Sequence, residues 1–230
     1  MIFGGLQKFT LIDYPEKLAA TIFINGCNFR CPFCYNPELV LSEKMQEVFS
    51  QNDILDFLKS RMGMISGVVL CGGEPTIEKD LPVLAKLIKE MGYVIKLDTN
   101  GSNPQMLSEL IKDRLIDYVA MDVKAPKDKY PKVTNSEIDI EMIEESINIL
   151  KQGKTEYEFR TTVVPLLLEK EDILEIAKWL KPAKRYFLQQ FRAGKNINPE
   201  FSHLNPYSIE YLGEIQKAIA PFFEICQIRT

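Results

Sequence analysis

Three of the five cysteines in this chain, Cys27, Cys31 and Cys34, are crowded into one short stretch. Thiolates gathered in this way usually hold a metal ion or an iron–sulfur cluster. A zinc ion is one candidate, because Cys71 or the single histidine, His203, could complete its ligands. An iron–sulfur cube is another, since it tolerates an open iron where a substrate or cofactor can bind. Cysteines packed in a core for structural reasons are the third interpretation, although they rarely gather on one loop.

The elements that must position these thiols follow from alternating strand-like and helix-like patterns. An extended segment at 7–12 precedes predicted strands at 19–24, 67–71, 93–97, 118–121, 157–164 and 185–191, and a last strand at 222–228. Predicted helices cover 53–58, 81–91, 105–112, 141–152, 172–180 and 208–220. Strands separated by helices of about ten residues pair in parallel through right-handed crossovers.

This alternation predicts an α/β fold with one parallel sheet. A closed eightfold barrel takes roughly 250 residues, so the 230 residues here favour an open, partial (β/α)6-type TIM barrel. We expect a single domain over 1–230. It would comprise an N-terminal extension at 1–18, a core at about 19–195, and a C-terminal helix and strand at 196–230.

The composition narrows the choice of partner and compartment. The formal net charge is -4, which gives no support for a nucleic acid as partner. No apolar run is long enough to span a membrane, and the N-terminus lacks the plan of a signal peptide. An odd number of cysteines argues against a secreted disulfide framework, so we expect a reducing, cytoplasmic setting.

The second predicted strand ends in Gly72, Gly73, Glu74 and Pro75. Glycines let a backbone approach a ligand closely, and a glutamate can accept hydrogen bonds from an ammonium group. A tight strand-to-helix turn is the alternative interpretation.

The third predicted strand ends in Asp98, Thr99 and Asn100, followed by Gly101. Reactive groups gather at the carboxyl ends of strands in a parallel barrel, which makes this polar cluster a candidate site. The alternative is a simple turn in which Asp98 caps the next helix.

The fourth and fifth strands carry three charged residues. Asp122 and Lys124 alternate onto one face of a strand end, where they could pair with each other, either in the site or as a solvated salt bridge. Arg160 is the one charged residue in 159–164 and is expected to face inward. Burying an unpaired guanidinium is costly, so we predict a carboxylate partner for Arg160 from the protein or a ligand.

The Cys-x3-Cys-x2-Cys spacing, followed one unit later by Gly-Gly-Glu-Pro, resembles the radical S-adenosylmethionine (SAM) superfamily. The resemblance implies that Cys27, Cys31 and Cys34 hold a [4Fe-4S] cluster whose fourth iron is chelated by SAM. It also implies that Phe33 lies near the adenine and that residues 72–75 hold the methionine amino group.

Two further stretches, 97–101 and 122–124, look like the glycyl-radical-enzyme activases within that superfamily. The resemblance implies that Asp98, Thr99 and Asp122 are candidate ligands of a monovalent cation beside the SAM carboxylate. It implies that SAM is reached by the remaining polar residues at the strand ends, namely Asn100, Lys124, Arg160 and Gln189.

Residues 4–15, 25–34 and 188–192 resemble the activating protein of anaerobic ribonucleoside-triphosphate reductase. The implied activity is reductive cleavage of SAM to a 5′-deoxyadenosyl radical, which installs a glycyl radical on the reductase large subunit. A flavodoxin or ferredoxin would supply the electron, and an open side of the barrel would admit the partner. Tyr35 and Ala193 depart from the family pattern, where His and Pro are usual. Activation of another glycyl radical enzyme, modification of a small molecule or peptide, and a zinc-binding adaptor are the alternatives.

Overall fold

The computed structural model describes residues 1–41 and 49–230. Within them, a single sheet contains eight strands in chain order. They are β1 (Phe3–Thr10), β2 (Ala19–Ile24), β3 (Gly67–Gly72), β4 (Val94–Thr99), β5 (Tyr118–Asp122), β6 (Glu156–Val163), β7 (Ala183–Gln190) and β8 (Phe223–Arg229). Neighbours from β2 to β8 pair in parallel. The sheet does not close, because β1 and β8 remain as its two edges, and the predicted open barrel is thereby confirmed.

The same residues contain helices that cover the outside of the sheet. They are α1 (Pro37–Val40), α2 (Gln51–Ser60), α3 (Leu81–Glu90), α4 (Pro104–Lys112), α5 (Tyr130–Thr134), α6 (Ile140–Lys151), α7 (Lys170–Leu180) and α8 (Ile209–Ile219). At the start of α2, Ser50 and Asp53 form a reciprocal capping box. No helix among the described residues is long and apolar enough to cross a membrane.

Two elements differ from the sequence-based prediction. The extended segment expected at 7–12 is instead β1, which begins at Phe3 and runs antiparallel to β2. Its connection to β2 has no crossover helix, so the chain can only turn back antiparallel. The short helix α5 lies in a region predicted as a loop because of its prolines. Pro131 occupies the first turn of α5, where a helix tolerates proline.

Apolar and polar residues divide between the two surfaces of the barrel wall. The main hydrophobic cluster fills the space between the sheet and the outer helices. Tyr14 packs with Ala19, Val69 and Tyr118 at the amino ends of the strands and forms a smaller cluster there. Alternate residues of the central strands carry charges or hydroxyls into the barrel interior, which leads to the site at the opposite end.

Candidate active site

A cavity of about 550 Å³ lies at the carboxyl ends of the parallel strands. Its wall includes fourteen of the fifteen residues predicted as site residues: Cys27, Cys31, Phe33, Cys34, Gly72, Gly73, Glu74, Asp98, Thr99, Asn100, Asp122, Lys124, Arg160 and Gln189. Pro75 is the exception, because it is buried behind Glu74 and begins a short 3-10 turn. Motifs that are far apart in sequence therefore meet around one space.

The first wall of the cavity is the cysteine loop, which we define as residues 25–36. A backbone bond from Cys34 N–H to the Cys31 carbonyl (3.1 Å) folds the loop tightly. The Cys27 sulfur accepts from Phe29 N–H at 3.3 Å. Cys27, Cys31 and Cys34 are all free thiols that line the cavity, so this donor set fits a thiolate-ligated cluster.

The two residues considered as fourth zinc ligands are placed differently. Cys71 lines the cavity, whereas His203 is exposed at the end of a 3-10 turn, as its turn-rich sequence predicts. Among residues 1–41 and 49–230, no three His, Cys, Asp or Glu side chains converge on a point where one metal ion would bind.

Two distant segments hold the backbone of the cysteine loop. Arg30 N–H donates to the Thr134 carbonyl at the end of α5 (3.0 Å). Asn198 N–H donates to the Pro32 carbonyl (2.9 Å). The loop is thereby attached to the segments that follow β5 and β7.

Tyr35 provides a third attachment through its side chain. Its hydroxyl accepts from Arg192 N–H at 2.8 Å. Its ring stacks on Phe191 with 6.1 Å between centroids. The residue that departs from the family pattern therefore joins the cysteine loop to the end of β7.

Burial controls the protonation of the thiols. It raises the pKa of Cys27 to about 12, helped by the nearby carboxylate of Glu74. It raises the pKa of Cys31 to about 11, although the ammonium group of Lys124 opposes the shift. Thiolates are the ligands of a cluster, so loading the site must release protons.

The Gly-Gly-Glu turn packs directly against the cysteine loop. A side chain at Gly73 would overlap the Gly26 carbonyl and approach the Cys27 Cβ within 3.2 Å. The Gly73 and Glu74 N–H groups donate to the carbonyls of Ile24 and Gly26 at 2.9 and 2.7 Å. The close approach predicted for these glycines is therefore made to the loop that carries the thiols.

Glu74 is completely buried and joins the ends of β3 and β4. Its Oε1 accepts from Thr76 Oγ1 at 2.6 Å and from Thr99 Oγ1 at 2.7 Å. Its Oε2 accepts from Asn100 N–H at 2.5 Å. Burial nevertheless raises the pKa of the Glu74 carboxyl. The carboxylate positions two strand ends, and Oε2, which accepts one bond, can accept another.

Five charged side chains form a connected set of ion pairs that we call the charge ladder, and four of them, Asp98, Asp122, Lys124 and Arg160, line the cavity. Lys96 pairs with Asp98, whose second oxygen accepts from Arg160 Nη1 at 3.1 Å. Arg160 Nε donates to Asp122 Oδ1 at 2.8 Å. Asp122 Oδ2 accepts from Lys124 Nζ at 3.0 Å. The predicted carboxylate partner of Arg160 and the predicted pairing of Asp122 with Lys124 are both present.

Cations and carboxylates alternate along the ladder, and this order fixes its charge state. Burial would raise the pKa of Asp122, but Arg160 and Lys124 hold it well below its usual range. Burial would lower the pKa of Lys124, but Asp122 more than offsets it, so the ammonium group stays charged. The ladder therefore presents fixed charges to the cavity.

Two arginines that were not predicted as site residues, Arg192 and Arg229, also line the cavity. Arg229 forms a bidentate pair with the buried Glu158 at 2.5 and 2.8 Å. Arg229 is the one charged residue in 225–229 of β8, and the same kind of pattern identified Arg160. A second cavity of about 440 Å³ lies behind the ladder, and Lys96 lines it together with Asp98 and Arg160.

Known proteins resemble this chain in sequence and in fold. A family model for the radical SAM superfamily matches residues 21–188. The chain is 39% identical over 236 residues to a "putative glycyl-radical enzyme activating enzyme" of Methanocaldococcus jannaschii, covering 99% of this chain and 95% of that one. It is 25% identical to the pyruvate formate-lyase-activating enzyme of Streptococcus mutans, over 79% of this chain and 72% of the relative. SuiB of Streptococcus suis, solved bound to S-adenosylmethionine, shares the fold with a TM-score of 0.68 and 13% identity, over 90% of this chain and 48% of SuiB.

Proposed function

The chain belongs to the radical SAM superfamily, whose cofactors are a [4Fe-4S] cluster and SAM, and we propose that it activates a glycyl radical enzyme, with anaerobic ribonucleotide reductase as the partner. The observation that carries the proposal is the whole-length similarity to an activating-enzyme relative, combined with three free cysteines on the wall of one cavity. The reductase in particular rests on the resemblance of residues 4–15, 25–34 and 188–192.

In this proposal Cys27, Cys31 and Cys34 hold the cluster through their thiolates. When bound, the cluster supplies the electron that cleaves SAM into methionine and a 5′-deoxyadenosyl radical. A flavodoxin or ferredoxin is the proposed reductant. The side chains of the barrel wall would orient the cofactor.

The remaining residues orient SAM by charge and shape. Lys124 and Arg160 present cationic groups to the cavity and would attract the carboxylate of its methionine part. Glu74 would accept from the amino group through Oε2. Phe33, buried beside the thiols, would pack near the adenine, and Asn100 and Gln189 would contribute polar contacts.

Electron paramagnetic resonance tests the proposal directly. Anaerobically reconstituted, reduced protein would be mixed with SAM and the large subunit of an anaerobic ribonucleotide reductase. We expect a persistent glycyl doublet, and we expect none with Cys31→Ala. A parallel sample with pyruvate formate-lyase separates the two classes of glycyl radical enzyme.

The other outcomes reassign the function. A doublet on pyruvate formate-lyase alone would move the partner to that class. A cluster signal that changes with SAM, with 5′-deoxyadenosine but no protein radical, would favour a small-molecule or peptide substrate. A colourless protein that binds stoichiometric zinc would reject radical chemistry.

A further inference from the structure

The oxygen atoms predicted to bind a monovalent cation are already occupied by protein groups. Both carboxylate oxygens of Asp98 and both of Asp122 are paired within the charge ladder. Thr99 Oγ1 donates to Glu74 Oε1 at 2.7 Å and accepts from Gly101 N–H at 3.1 Å. A metal cation on these atoms would lie beside the ammonium and guanidinium groups that already pair with them, and repulsion between like charges disfavours that arrangement.

The charge of the ladder leads to the same conclusion. Lys96, Arg160 and Lys124 carry three positive charges, and Asp98 and Asp122 carry two negative ones. The single excess positive charge matches one carboxylate of a bound ligand. A metal cation would raise the excess to two in a partly buried site, where unbalanced charge is more costly than at the surface.

The position of Lys96 explains how the chain itself places a positive charge beside Asp98. Lys96 precedes Asp98 by two residues on β4, so both side chains lie on the inner face of the barrel. The Lys96 side chain is only 2% exposed. It reaches Asp98 from the side of the second cavity and leaves the first cavity free for a ligand.

We propose that the ammonium group of Lys96 stands in place of a bound monovalent cation, so that this chain binds SAM without one. The inference rests on the proposed SAM-binding role of the cavity. It assigns Lys96 as a positioning residue that balances Asp98 and thereby keeps Arg160 and Lys124 directed at the ligand carboxylate.

The experiment compares the dissociation constant of SAM in potassium, sodium and choline chloride at one ionic strength. Equilibrium dialysis on the cluster-reconstituted holoprotein measures it without reductant or partner, so the result is independent of glycyl-radical formation. For the wild-type chain we expect the three salts to agree within about twofold. For Lys96→Met we expect roughly thirtyfold weaker binding in choline, since one member of a buried charge network is missing. Potassium or sodium should occupy the position that the ammonium group has vacated. In either salt, Lys96→Met should then bind SAM at least about fivefold more tightly than in choline.

Lys89→Met is the matched control. Lys89 pairs with Asp117 at 2.8 Å and lies outside both cavities. This variant should bind SAM as the wild type does in all three salts. A general loss of stability from removing a paired lysine would affect both variants, but only the proposed role makes affinity depend on the cation.

Three results would overturn the inference. The first is wild-type affinity that already rises with potassium or sodium, because a metal cation would then bind despite Lys96. The second is a loss in Lys96→Met that no monovalent cation reverses. The third is unchanged affinity in that variant. If Lys96→Met does not fold, thallium-205 resonance of the wild-type holoprotein with SAM decides the question: a bound thallium signal contradicts the proposal, and its absence supports it.

Discussion

The cysteine loop and the charge ladder both contribute to the wall of one cavity, but the polar groups of the two regions are satisfied in different ways. The ladder neutralises most of its charge internally, through four ion pairs between five side chains. The cysteine loop is held by backbone bonds and by Tyr35, while its three thiols remain free and largely protonated. One wall is complete as folded, and the other needs a group from outside.

This difference has an energetic basis. A buried ion pair is stable only while each partner is present, because a single unpaired charge in the interior costs several kcal/mol. A buried thiol is a small, nearly apolar group and stays protonated at little cost. A folded protein can therefore tolerate buried thiols with no metal bound to them, but it cannot tolerate buried charged groups whose partners are missing. The predictions below test the two walls separately.

The largest effect should come from Cys31→Ser. Removing one of the three proposed ligands should abolish cluster binding, measured as iron content and visible absorbance after anaerobic reconstitution. SAM cleavage should fall to background. Cys71→Ala, which removes the other thiol of the cavity wall, should keep its iron. Loss of iron from Cys71→Ala to the same extent would show that Cys71 is a ligand and would return the four-ligand zinc interpretation to consideration.

On the ladder, Arg160→Met should destabilise the apoprotein by about 2 to 4 kcal/mol, because two hydrogen bonds between charged groups are lost. Arg160 bridges Asp98 and Asp122 and is 11% exposed, and its loss leaves two partly buried carboxylates with one cation each. Urea unfolding followed by circular dichroism measures the free energy of unfolding. The control Lys59→Met removes a pair with Asp56 that is mostly exposed, and it should cost less than about 1 kcal/mol. Equal losses in the two variants would mean that the ladder adds no more than a surface pair.

The two walls should also lose stability at opposite ends of the pH range. Asp122 has a lowered pKa in the folded state, so its contribution is complete above about pH 4, the unfolded value, and is lost as pH falls further. Cys27 and Cys31 have pKa values raised to about 12 and about 11. Their contribution is complete below about pH 8.5, the unfolded value, and is lost as pH rises toward those values.

Apoprotein unfolding measured across pH separates these contributions. Asp122→Asn should flatten the acid limb, and it should change the alkaline limb less, because Asp122 acts only indirectly there, through the pKa of Cys31. Cys27→Ala should flatten the alkaline limb and leave the slope of the acid limb unchanged. A change of the acid limb in Cys27→Ala would contradict the separation of the two contributions.

The parts of this site that could be predicted from sequence are those whose logic is local. The cysteine spacing, the Gly-Gly-Glu turn and the polar strand ends each occupy a few consecutive residues, and parallel strands bring such ends together. Arg160 was identified as the one charged residue in 159–164, which predicts a buried partner. The same argument applies to Lys96 and Arg229, which were not predicted as site residues. Each is the one basic residue in its strand, and each strand contains only one other charged residue, which is acidic.

Other contacts depend on tertiary packing and carry no local signal. Tyr35 and Arg192 are 157 residues apart, and their bond forms only because β7 ends beside the cysteine loop. The antiparallel pairing of β1 likewise depends on the length of its connection to β2 rather than on the residues in the strand. Sequence could show that Tyr35 departs from the family pattern but not what it does here.

The smallest effect, and the most specific to this chain, should come from Tyr35→Phe. The variant keeps the ring that stacks on Phe191 and removes the oxygen that accepts from Arg192 N–H at 2.8 Å. Losing one hydrogen bond should lower the free energy of unfolding by about 1 kcal/mol. Because the thiols are intact, reconstituted iron content should equal that of the wild type, but a chelator should remove the iron faster as the loop opens more often. Unchanged iron release with reduced stability would mean that the attachment supports the end of β7 and not the cysteine loop.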